Sequence, residues 1–529
     1  MICDEKISAI VHLDDEVAAP DAAGLIKSLL AQHRVDLEIV VADAREKGGK
    51  VPGDDGSGRV RSVKGPFKSH AAELNAAAAA AKGKMILLID NRGAAVTAMR
   101  SCAETMALAM RRERGVSLVF SDYDRVEGSK RTEVRLLDHH VGRLRDFQDF
   151  GRVWLIDRRA LKRVGGFNEK LIPGVLYDLR LKLSEAGSLR RIANRYAGSL
   201  YTVRAAGAGH DVFAYLLATK ETQLEMERVL TEHLKRIGAH LRAGFNQRRV
   251  TYTRKEEAAF KDCLVSVVVP VNNRPEFMPT AIESIQAQTE KRVEAVIVVN
   301  GGDKDPTCDA VRAHMEGGSK FDAKKPPVRL IVTDVNNLGL CLNTGIDAGR
   351  GKYYLQLDSD DRLKPNAAAK VIAAFKKNPK AAMVVGSYEV WQKDEKTGEL
   401  SRREDIPVVT HGEWTDDNGR NNLLRINGAG APRAIHKKVL KEIGYFGCND
   451  EHNSRNYGED YDLVLRVSEE HAIARVWDPI YEVIRHSGGT DHAIDQSTID
   501  RNDEAKDAMR RAALERRIKL NRKAKHARR

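Results

Sequence analysis

The amino-acid sequence predicts an α/β protein in which two tandem domains of one plan are joined by a helical connector. Apolar strands alternate with amphipathic helices in the second half, the first half repeats this alternation, and a purely helical pattern lies between them. Such alternation is typical of parallel sheets with helices on both faces. We therefore expect domains at 1–210 and 263–499, a connector at 211–262, and a basic helix or tail at 500–529.

Composition restricts the class of protein. The chain has 529 residues, too many for one core, with 42% hydrophobic and 31% charged residues, as in soluble globular proteins. It has no apolar run long enough to span a bilayer, and its start lacks the order of a secretory signal. The six cysteines are widely separated, which fits a reducing cytosol and argues against a zinc site. We expect a cytoplasmic protein.

Much of the formal net charge of +13 lies near the carboxyl terminus, between Arg510 and Arg529. A basic run of this kind is most often a solvated helix or tail. Two alternatives stay open: peripheral contact with anionic lipids at the inner face of the membrane, and an interface in a homo-oligomer. Because no aromatic residues interleave with these charges, we expect no nucleic-acid partner.

The strands of the second half each lead into a polar loop. Strands are predicted at 264–269, 293–299, 328–332 and 353–357. Three of the loops that follow are Pro270-Val271-Asn272, Asn300-Gly301-Gly302 and Asp358-Ser359-Asp360. Ligands of parallel sheets bind beyond the carboxyl ends of the strands, so we expect these loops to converge on one crevice.

Asp358 and Asp360 are the most informative pair in the chain. Two carboxylates two residues apart at a strand end can hold a divalent cation against a diphosphate. Taken alone, an Asp-rich turn is the simpler interpretation. The position of the pair at the carboxyl edge of a parallel sheet favours a Mg²⁺ or Mn²⁺ site.

The second half resembles family 2 glycosyltransferases of the GT-A fold, a Rossmann-like architecture that binds nucleotide sugars. The resemblance runs from Val265 to about Gly489 and rests on four motifs in order: Val269–Pro275, Leu357–Asp361, Gly458–Asp460 and Tyr481–His486. It implies transfer, with inversion, of a hexosyl or N-acetylhexosaminyl group from a nucleotide diphosphate sugar, as in polysaccharide biosynthesis.

The resemblance also implies which residues bind the nucleotide. Pro270, Val271 and Asn272 would flank the nucleobase. The family often carries an Asp after the second strand to bind uracil, and here Asn300 holds that place. This departure leaves the base open, although a UDP-sugar is favoured.

The family's metal and diphosphate residues follow by the same resemblance. Asp358 would contact the ribose, with Ser359 beside it, and Asp360 would bind Mn²⁺ or Mg²⁺. Asp358 and His486 would complete the metal site, and Arg485 would contact the diphosphate. As alternatives, His486 can be a structural residue and Arg485 a surface charge.

An acceptor hydroxyl is a poor nucleophile, so displacement at a sugar carbon needs a carboxylate that takes its proton. The resemblance assigns this general base to Asp460, with Glu459 as a neighbour that orients the acceptor or the base. The two acids also suit a helix start, since negative charge is favourable there. Both interpretations can hold together.

The first half provides an internal comparison. Asp90-Asn91-Arg92 stands opposite Asp358-Ser359-Asp360, Val175-Leu176 opposite Glu459-Asp460, and Arg204-Ala205 opposite Arg485-His486. An Arg in place of the second Asp would repel a cation, and no base remains. We therefore expect a degenerate, non-catalytic copy that serves packing, acceptor binding or dimerisation.

Two other classes of function stay open. One is a non-catalytic scaffold that binds nucleotide sugars or glycans, and the other is a nucleotidyltransferase of similar architecture. The acceptor of a transferase could be a glycan, a lipid-linked molecule or a protein. Trp391 and Trp414 lie in the variable stretch where acceptor contacts are expected, although core packing is the simpler interpretation of each.

Overall fold

The computed structural model describes residues 3–47, 49–194, 198–204, 219–410, 419–426, 430–450, 457–486 and 495–526. The chain forms two compact units, Met1–Ile237 and Gly238–Arg529. Their boundary falls inside the range predicted as a connector, whose residues 211–218 lie outside the described residues, as does Trp414.

The first unit contains a seven-stranded sheet, a four-stranded sheet and flanking helices. The strands are β1 (Cys3–Leu13), β2 (Val35–Asp43), β3 (Val60–Lys64), β4 (Met85–Ile89), β5 (Ala95–Ala98), β6 (Val116–Ser121), β7 (Tyr123–Glu127), β8 (Lys130–Val134), β9 (Val153–Asp157), β10 (Ser188–Ile192) and β11 (Tyr201–Arg204). The helices are α1 (Ala19–Leu30), α2 (His70–Ala80), α3 (Cys102–Arg112), α4 (Arg158–Arg163), α5 (Val175–Ala186) and α6 (Lys220–Arg236).

The second unit is built on one nine-stranded sheet. Its strands are β12 (Val265–Val271), β13 (Val293–Val299), β14 (Val328–Val332), β15 (Tyr353–Gln356), β16 (Arg362–Leu363), β17 (Ala381–Lys393), β18 (Leu400–Arg402), β19 (Arg433–His436) and β20 (Ala472–Arg485). Its helices are α7 (Arg254–Ala259), α8 (Met278–Gln286), α9 (Thr307–Arg312), α10 (Leu338–Ala348), α11 (Ala367–Lys377), α12 (Gly419–Asn422), α13 (Lys437–Glu442), α14 (Glu459–Glu470) and α15 (Gln496–His526).

The two large sheets share one strand order. It reads β3-β2-β1-β4-β9-β6-β10 in the first unit and β14-β13-β12-β15-β19-β17-β20 in the second. In both, the fifth strand of this order, β9 or β19, runs antiparallel to its two neighbours. The expectation of a fully parallel sheet is therefore wrong at this strand, because an apolar run in the sequence does not encode strand direction.

The sequence predicted that this strand ends before Pro270, but β12 includes Pro270. The strand continues to Val271, whose carbonyl oxygen accepts a hydrogen bond from the Asn300 backbone N–H at 2.9 Å on the β13 side. Successive backbone groups of a strand point to opposite sides, so Pro270 faces β15. Pairing with β15 ends at Val268, so the missing N–H of the proline costs no sheet hydrogen bond.

A buried carboxylate joins the second sheet to the loop before β15. Glu294 on β13 is 0% exposed. It accepts hydrogen bonds from Ser266 Oγ at 2.7 Å and from the Arg350 backbone N–H at 2.5 Å. Ser266 Oγ in turn accepts from the Gly351 backbone N–H at 2.8 Å. Each polar group is therefore satisfied where water is excluded.

The first unit contains the same arrangement. Glu38 on β2 is buried and accepts from Ser8 Oγ at 2.6 Å and from the Lys82 backbone N–H at 2.6 Å. The Gly83 backbone N–H donates to Ser8 Oγ at 2.8 Å. The two units thus repeat a buried polar network as well as a strand order.

Helix α15 packs a basic face into the second unit. Arg510 and Arg517 are both 0% exposed. The Arg510 guanidinium lies 4.9 Å from the ring centroid of Tyr461 on α14, and Arg517 Nη2 donates to Ser468 Oγ at 3.2 Å. The expectation of a wholly solvated segment is wrong for this face. The exposed basic residues of the helix are Arg501, Arg511, Lys519, Arg522, Lys523, Lys525 and His526.

In the described part of the chain, no helix combines the length and apolar character that a membrane crossing requires.

We expect Glu294→Gln to destabilise the protein by about 1–3 kcal/mol near neutral pH, because charge-assisted bonds in a buried site are lost. Burial raises the pKa of Glu294, but its bonds to Ser266 and Arg350 outweigh this and lower the pKa overall. The stabilisation is therefore present above the ordinary pKa of Glu and is lost as pH falls through the lowered value. Urea denaturation at several pH values measures this difference.

Glu283→Gln is the matched control. Glu283 is exposed, and its ion pair with Lys320 is long, at 3.8 Å. Its substitution should change the free energy of unfolding by less than about 0.5 kcal/mol. Equal effects of the two substitutions would contradict the structural role of Glu294.

Candidate active site

The carboxyl ends of β12, β13 and β15 form the predicted crevice edge. The three strands are parallel neighbours, with β12 in the middle. The Leu357 backbone N–H donates to the Val268 carbonyl at 3.1 Å, which ties the loop after β15 to β12. The loops predicted to bind the donor therefore begin side by side.

The Asp360 carboxylate is held by two side chains from other loops. Arg274 Nη1 lies 2.9 Å and His486 Nε2 lies 3.0 Å from Asp360 Oδ2. The His486 ring packs against Phe277, with the ring centroids 4.9 Å apart. Arg274 was not identified as a site residue from the sequence, and its position directly after the β12 loop was the available signal.

Asp358 has a different set of partners. Its Oδ1 accepts from Gln356 Nε2 at 2.9 Å, and its backbone N–H donates to the Tyr481 hydroxyl at 3.0 Å. Burial raises the pKa of Asp358, although the bond from Gln356 acts against this rise. Ser359, between the two acids, is buried.

A buried guanidinium connects Asp358 to the predicted base. Arg433 on β19 donates from Nη1 to Asp460 Oδ2 at 2.7 Å and from Nη2 to Gln356 Oε1 at 2.7 Å. Gln356 then donates to Asp358, which completes a hydrogen-bonded chain from Asp460 to Asp358. We call these four residues the Asp460–Asp358 chain. Arg433 and Gln356 were missed because nothing in the local sequence marks them as polar neighbours of either acid.

A left-handed glycine positions Glu459 and Asp460 at the start of α14. Gly458, directly before the helix, has φ +82°. A Cβ at this position would approach Met509 Cε to 2.8 Å, closer than side-chain packing allows. The left-handed turn therefore requires glycine here, whereas the flexible end of the Met509 side chain can shift.

The two neighbouring acids have opposite pKa shifts. Burial raises the pKa of Asp460, but the charges of Arg433 and Lys506 outweigh it and lower the pKa overall. Burial and the charge of Asp460 raise the pKa of Glu459 to about 7. Asp460 is therefore ionised at neutral pH, while Glu459 titrates there. Lys506 comes from α15, whose contribution to the site the sequence did not reveal.

The side-chain oxygen of Asn300 is an unpaired hydrogen-bond acceptor among the described residues. Its Nδ2 donates to Cys341 Sγ at 3.2 Å and to Asn336 Oδ1 at 3.3 Å. Its Oδ1 is buried and has no hydrogen-bond partner among the described residues. An unpaired buried acceptor is costly, so this atom is a point where a ligand N–H would be favoured.

The other predicted donor residues lie around this edge. Pro270 and Val271 end β12, with Val271 buried, and Asn272 is exposed in the following loop. Arg485 ends β20, where its carbonyl oxygen accepts from Gln392 Nε2 at 3.2 Å. Their contacts with a nucleotide stay predictions.

Trp391 lies beside the end of β20, in register with Ile484. The guanidinium of Arg362 lies 5.2 Å from the Trp391 ring centroid. The indole nitrogen is buried and has no partner among the described residues. This side of the site therefore keeps an unused hydrogen-bond donor.

The first unit has apolar side chains at the two middle positions of the Asp460–Asp358 chain, those of Gln356 and Arg433. Leu88 and Trp154 pair across β4 and β9, three residues along each strand from the Met85–Asp157 pair. In the second unit the equivalent first pair is Tyr353–His436, and Gln356 and Arg433 lie three residues along each strand from it. At this pair of positions the first unit therefore has no buried charge equivalent to that of Arg433.

The Asp360 and His486 side chains fit a divalent cation. Ligands at about 2.0–2.2 Å in adjacent positions of an octahedral ion are about 3 Å apart, and Asp360 Oδ2 and His486 Nε2 are 3.0 Å apart. Carboxylate suits Mg²⁺ and Mn²⁺, while imidazole favours transition ions, so the pair fits Mn²⁺ better. Among the described residues, Asp358 does not join them in a group of three ligand atoms within 4.8 Å.

The sheet order and these contacts define an α/β domain with a carboxylate site at the carboxyl edge of its central strands. Residues 266–444 match the model of glycosyl transferase family 2. The second unit therefore carries a domain of that family.

Curated relatives of part of this chain are named glycosyltransferases. An uncharacterised glycosyltransferase of Rickettsia typhi is 32% identical over 209 residues, 39% of this chain and 59% of that protein. One of Haemophilus influenzae is 35% identical over 127 residues, 24% of this chain and 36% of that protein. The chain thus spans less than two thirds of the length of either relative.

Among solved structures, S. aureus TarS 1-349 in complex with UDP-GlcNAc is similar over part of the chain. The sequence identity is 16% and the TM-score 0.34, with 44% of this chain and 62% of that chain covered.

We expect Glu459→Gln to stabilise the protein increasingly as pH rises from about 4.5 to about 7, and by a constant amount above. The ordinary pKa of Glu is 4.5 and that of Glu459 is about 7, so burying this group costs nothing below the first value and the full amount above the second. The maximum gain is about 3 kcal/mol, since one pKa unit is worth about 1.4 kcal/mol. Urea denaturation at stepped pH measures it.

Glu515→Gln on the exposed face of α15 is the control and should show no such pH-dependent gain. A stability difference for Glu459→Gln that is the same at pH 4.5 and pH 8 would rule out the raised pKa.

Proposed function

We propose that the second unit is an inverting, metal-dependent glycosyltransferase that moves a sugar from a nucleotide diphosphate sugar to an acceptor hydroxyl. The Asp460–Asp358 chain carries this proposal, because it links a carboxylate suited to proton removal with the acidic loop suited to donor binding. The membership of residues 266–444 in glycosyl transferase family 2 supports the reaction class.

Asp460 acts as the general base. Its lowered pKa keeps it ionised at neutral pH, and Arg433 fixes one of its oxygens at 2.7 Å. The carboxylate takes the proton of the acceptor hydroxyl as that oxygen attacks the anomeric carbon. The carbon–oxygen bond to the diphosphate breaks on the opposite face, so configuration inverts and the nucleoside diphosphate leaves. Glu459 orients the acceptor.

The donor is a UDP-sugar in this proposal. The unpaired Oδ1 of Asn300 suits the N–H of a pyrimidine base. Pro270, Val271 and Asn272 flank the base, and Asp358 with Ser359 contacts the ribose. Arg485 and Arg274 provide positive charge for the diphosphate.

Asp360 and His486 hold the metal ion, Mn²⁺ or Mg²⁺, with Asp358 beside them. When bound, such an ion stabilises the negative charge that develops on the diphosphate leaving group. Arg274 Nη1 lies 2.9 Å from Asp360 Oδ2, so a bound ion would take the place of this guanidinium on the carboxylate.

The first unit is a non-catalytic copy in a tandem duplication of one GT-A unit. The shared strand order and the repeated Glu38 and Glu294 networks support the duplication. Asp90 pairs with Arg152 at 2.9 Å, so the retained acid is already neutralised. This unit serves packing, acceptor binding or homo-oligomerisation.

The acceptor is a glycan, a lipid-linked molecule or a protein. The exposed basic residues of α15, Lys519 to Lys525, support peripheral contact with an anionic membrane surface. Such contact would suit a lipid-linked acceptor.

The proposed function is tested by incubating the full chain with a panel of UDP-, GDP- and ADP-sugars and Mn²⁺ and measuring the nucleoside diphosphate released. We expect release with at least one UDP-sugar and its loss on addition of a chelator. Binding of a donor without release would favour the scaffold, and pyrophosphate release from a nucleoside triphosphate would favour a nucleotidyltransferase. Either result overturns the proposal.

We expect Asp460→Asn to lower turnover by about 10²–10⁴-fold, because the amide cannot accept the proton. Donor affinity by calorimetry should stay within a few fold, which also shows that the variant is folded. Asp90→Asn, at the equivalent position of the acidic loop in the first unit, is the control for a mutation that should leave turnover unchanged. Retained turnover in Asp460→Asn would refute the role of this residue as base.

A further inference from the structure

Three potential metal ligands converge near the carboxyl edge of the first sheet. His12 lies next to the end of β1, His70 is the first residue of α2, and Glu73 lies one turn further along α2. His12 and Glu73 are 5% and 3% exposed, and His70 is partly buried. Buried imidazole and carboxylate groups in contact are costly unless they are paired or bind a metal.

Both imidazoles direct the same nitrogen toward one carboxylate. His12 Nδ1 contacts Glu73 Oε1, and His70 Nδ1 lies 3.2 Å from Glu73 Oε2. The two rings are perpendicular, at 88°, with their centroids 5.9 Å apart. One ligand atom from each of the three residues lies within 4.8 Å of the others. A single ion can therefore replace the protons that now bridge these atoms.

We propose that His12, His70 and Glu73 bind a divalent transition-metal ion of the zinc class in the first unit. Two imidazole nitrogens and a carboxylate oxygen form a ligand set that zinc takes in proteins. The proposal does not depend on the transferase activity proposed above.

Asp14 orients His12 for this role. Its Oδ2 lies 2.7 Å from His12 Nε2, and its Oδ1 accepts from the backbone N–H groups of Glu16 and Val17, each at 3.0 Å. A carboxylate that accepts from Nε2–H leaves Nδ1 as the free ligand atom. Carboxylate–histidine–metal arrangements of this kind fix the tautomer and make the imidazole a better ligand.

A small cavity borders two of the three proposed ligands, His12 and His70. It measures about 10 Å³, close to the smallest space that holds one water molecule, and its lining includes His12, His70, Asn91 and Leu176. Asn91 is fixed by hydrogen bonds in both directions with the His12 backbone, at 3.0 and 2.8 Å. Three protein ligands and one open position are typical of zinc sites that bind an exchangeable water.

The cluster is not part of the framework that both units share. Asn75 in α2 and Asn343 in α10 make the same pair of bonds to a phenylalanine backbone. Counting back from them places Leu338 and Cys341 where the first unit has His70 and Glu73. The fold therefore does not require a histidine or glutamate at these helix positions.

The full-length protein, stripped with a chelator and dialysed, tests the proposal by titration with Zn²⁺ against a chromophoric indicator and with Co²⁺ by visible absorption. We expect one tight equivalent of Zn²⁺ and a Co²⁺ spectrum of nitrogen and oxygen ligands. Asp14→Asn should weaken Zn²⁺ binding by about 10–100-fold, the usual effect of losing such a partner. His70→Asn should weaken it at least as much.

His33→Asn, an exposed histidine of the same unit, and His486→Asn in the second unit are the controls and should leave the tight equivalent unchanged. Because His70 is partly exposed, its substitution should preserve the fold, which far-ultraviolet circular dichroism checks. Zn²⁺ should raise the melting temperature of the wild type and of His33→Asn, but not of His70→Asn. Zn²⁺ binding that survives in His70→Asn, that is lost in His486→Asn, or that is absent from the wild type would overturn the proposal.

Discussion

The Arg433 guanidinium is the group on which the rest of the second unit's site depends. A charge buried in this way is tolerated only when neighbouring groups compensate it, and removal of one partner typically costs about 3–5 kcal/mol. Arg433 is compensated by Asp460 on one side and by Gln356, and through it Asp358, on the other. The same contacts that satisfy the guanidinium also fix the orientation of both acids. Stability and the geometry of the proposed chemistry are therefore coupled through a single side chain.

The first unit solves the same packing problem without charge. Leu88 and Trp154 fill the space between β4 and β9, and the Trp154 indole N–H is satisfied by the Phe150 carbonyl at 2.9 Å. The Glu38 network nevertheless persists there. The framework of the sheet and the polar chain of the site are thus separable: the buried glutamate serves the fold in both units, whereas the guanidinium serves the site in one.

How much the sequence predicted depends on whether the signal was local. The strand at 293–299 was predicted correctly because a parallel core strand is a continuous apolar run. The partly buried edge strand at 328–332 was also predicted correctly, since four of its five residues are apolar. The acidic loop at Asp358 was predicted as a local motif, but the direction of β19 was not, since apolar pattern carries no direction. Arg433 and Lys506 could not be identified, because their roles arise only from contacts with residues distant in the chain.

The two units present different ligand chemistry at equivalent edges of their sheets. In the second, the Asp360 carboxylate and the His486 imidazole are the proposed ligands, one of each kind, a pair that fits Mn²⁺. In the first, two imidazoles outnumber the single carboxylate of Glu73, a set that favours the softer zinc class. Because ligand type sets this preference, two ions in one chain need not compete for the same site. Two domains with one strand order can therefore differ in the metal they would favour, since the sheet edge supplies positions and the side chains supply selectivity.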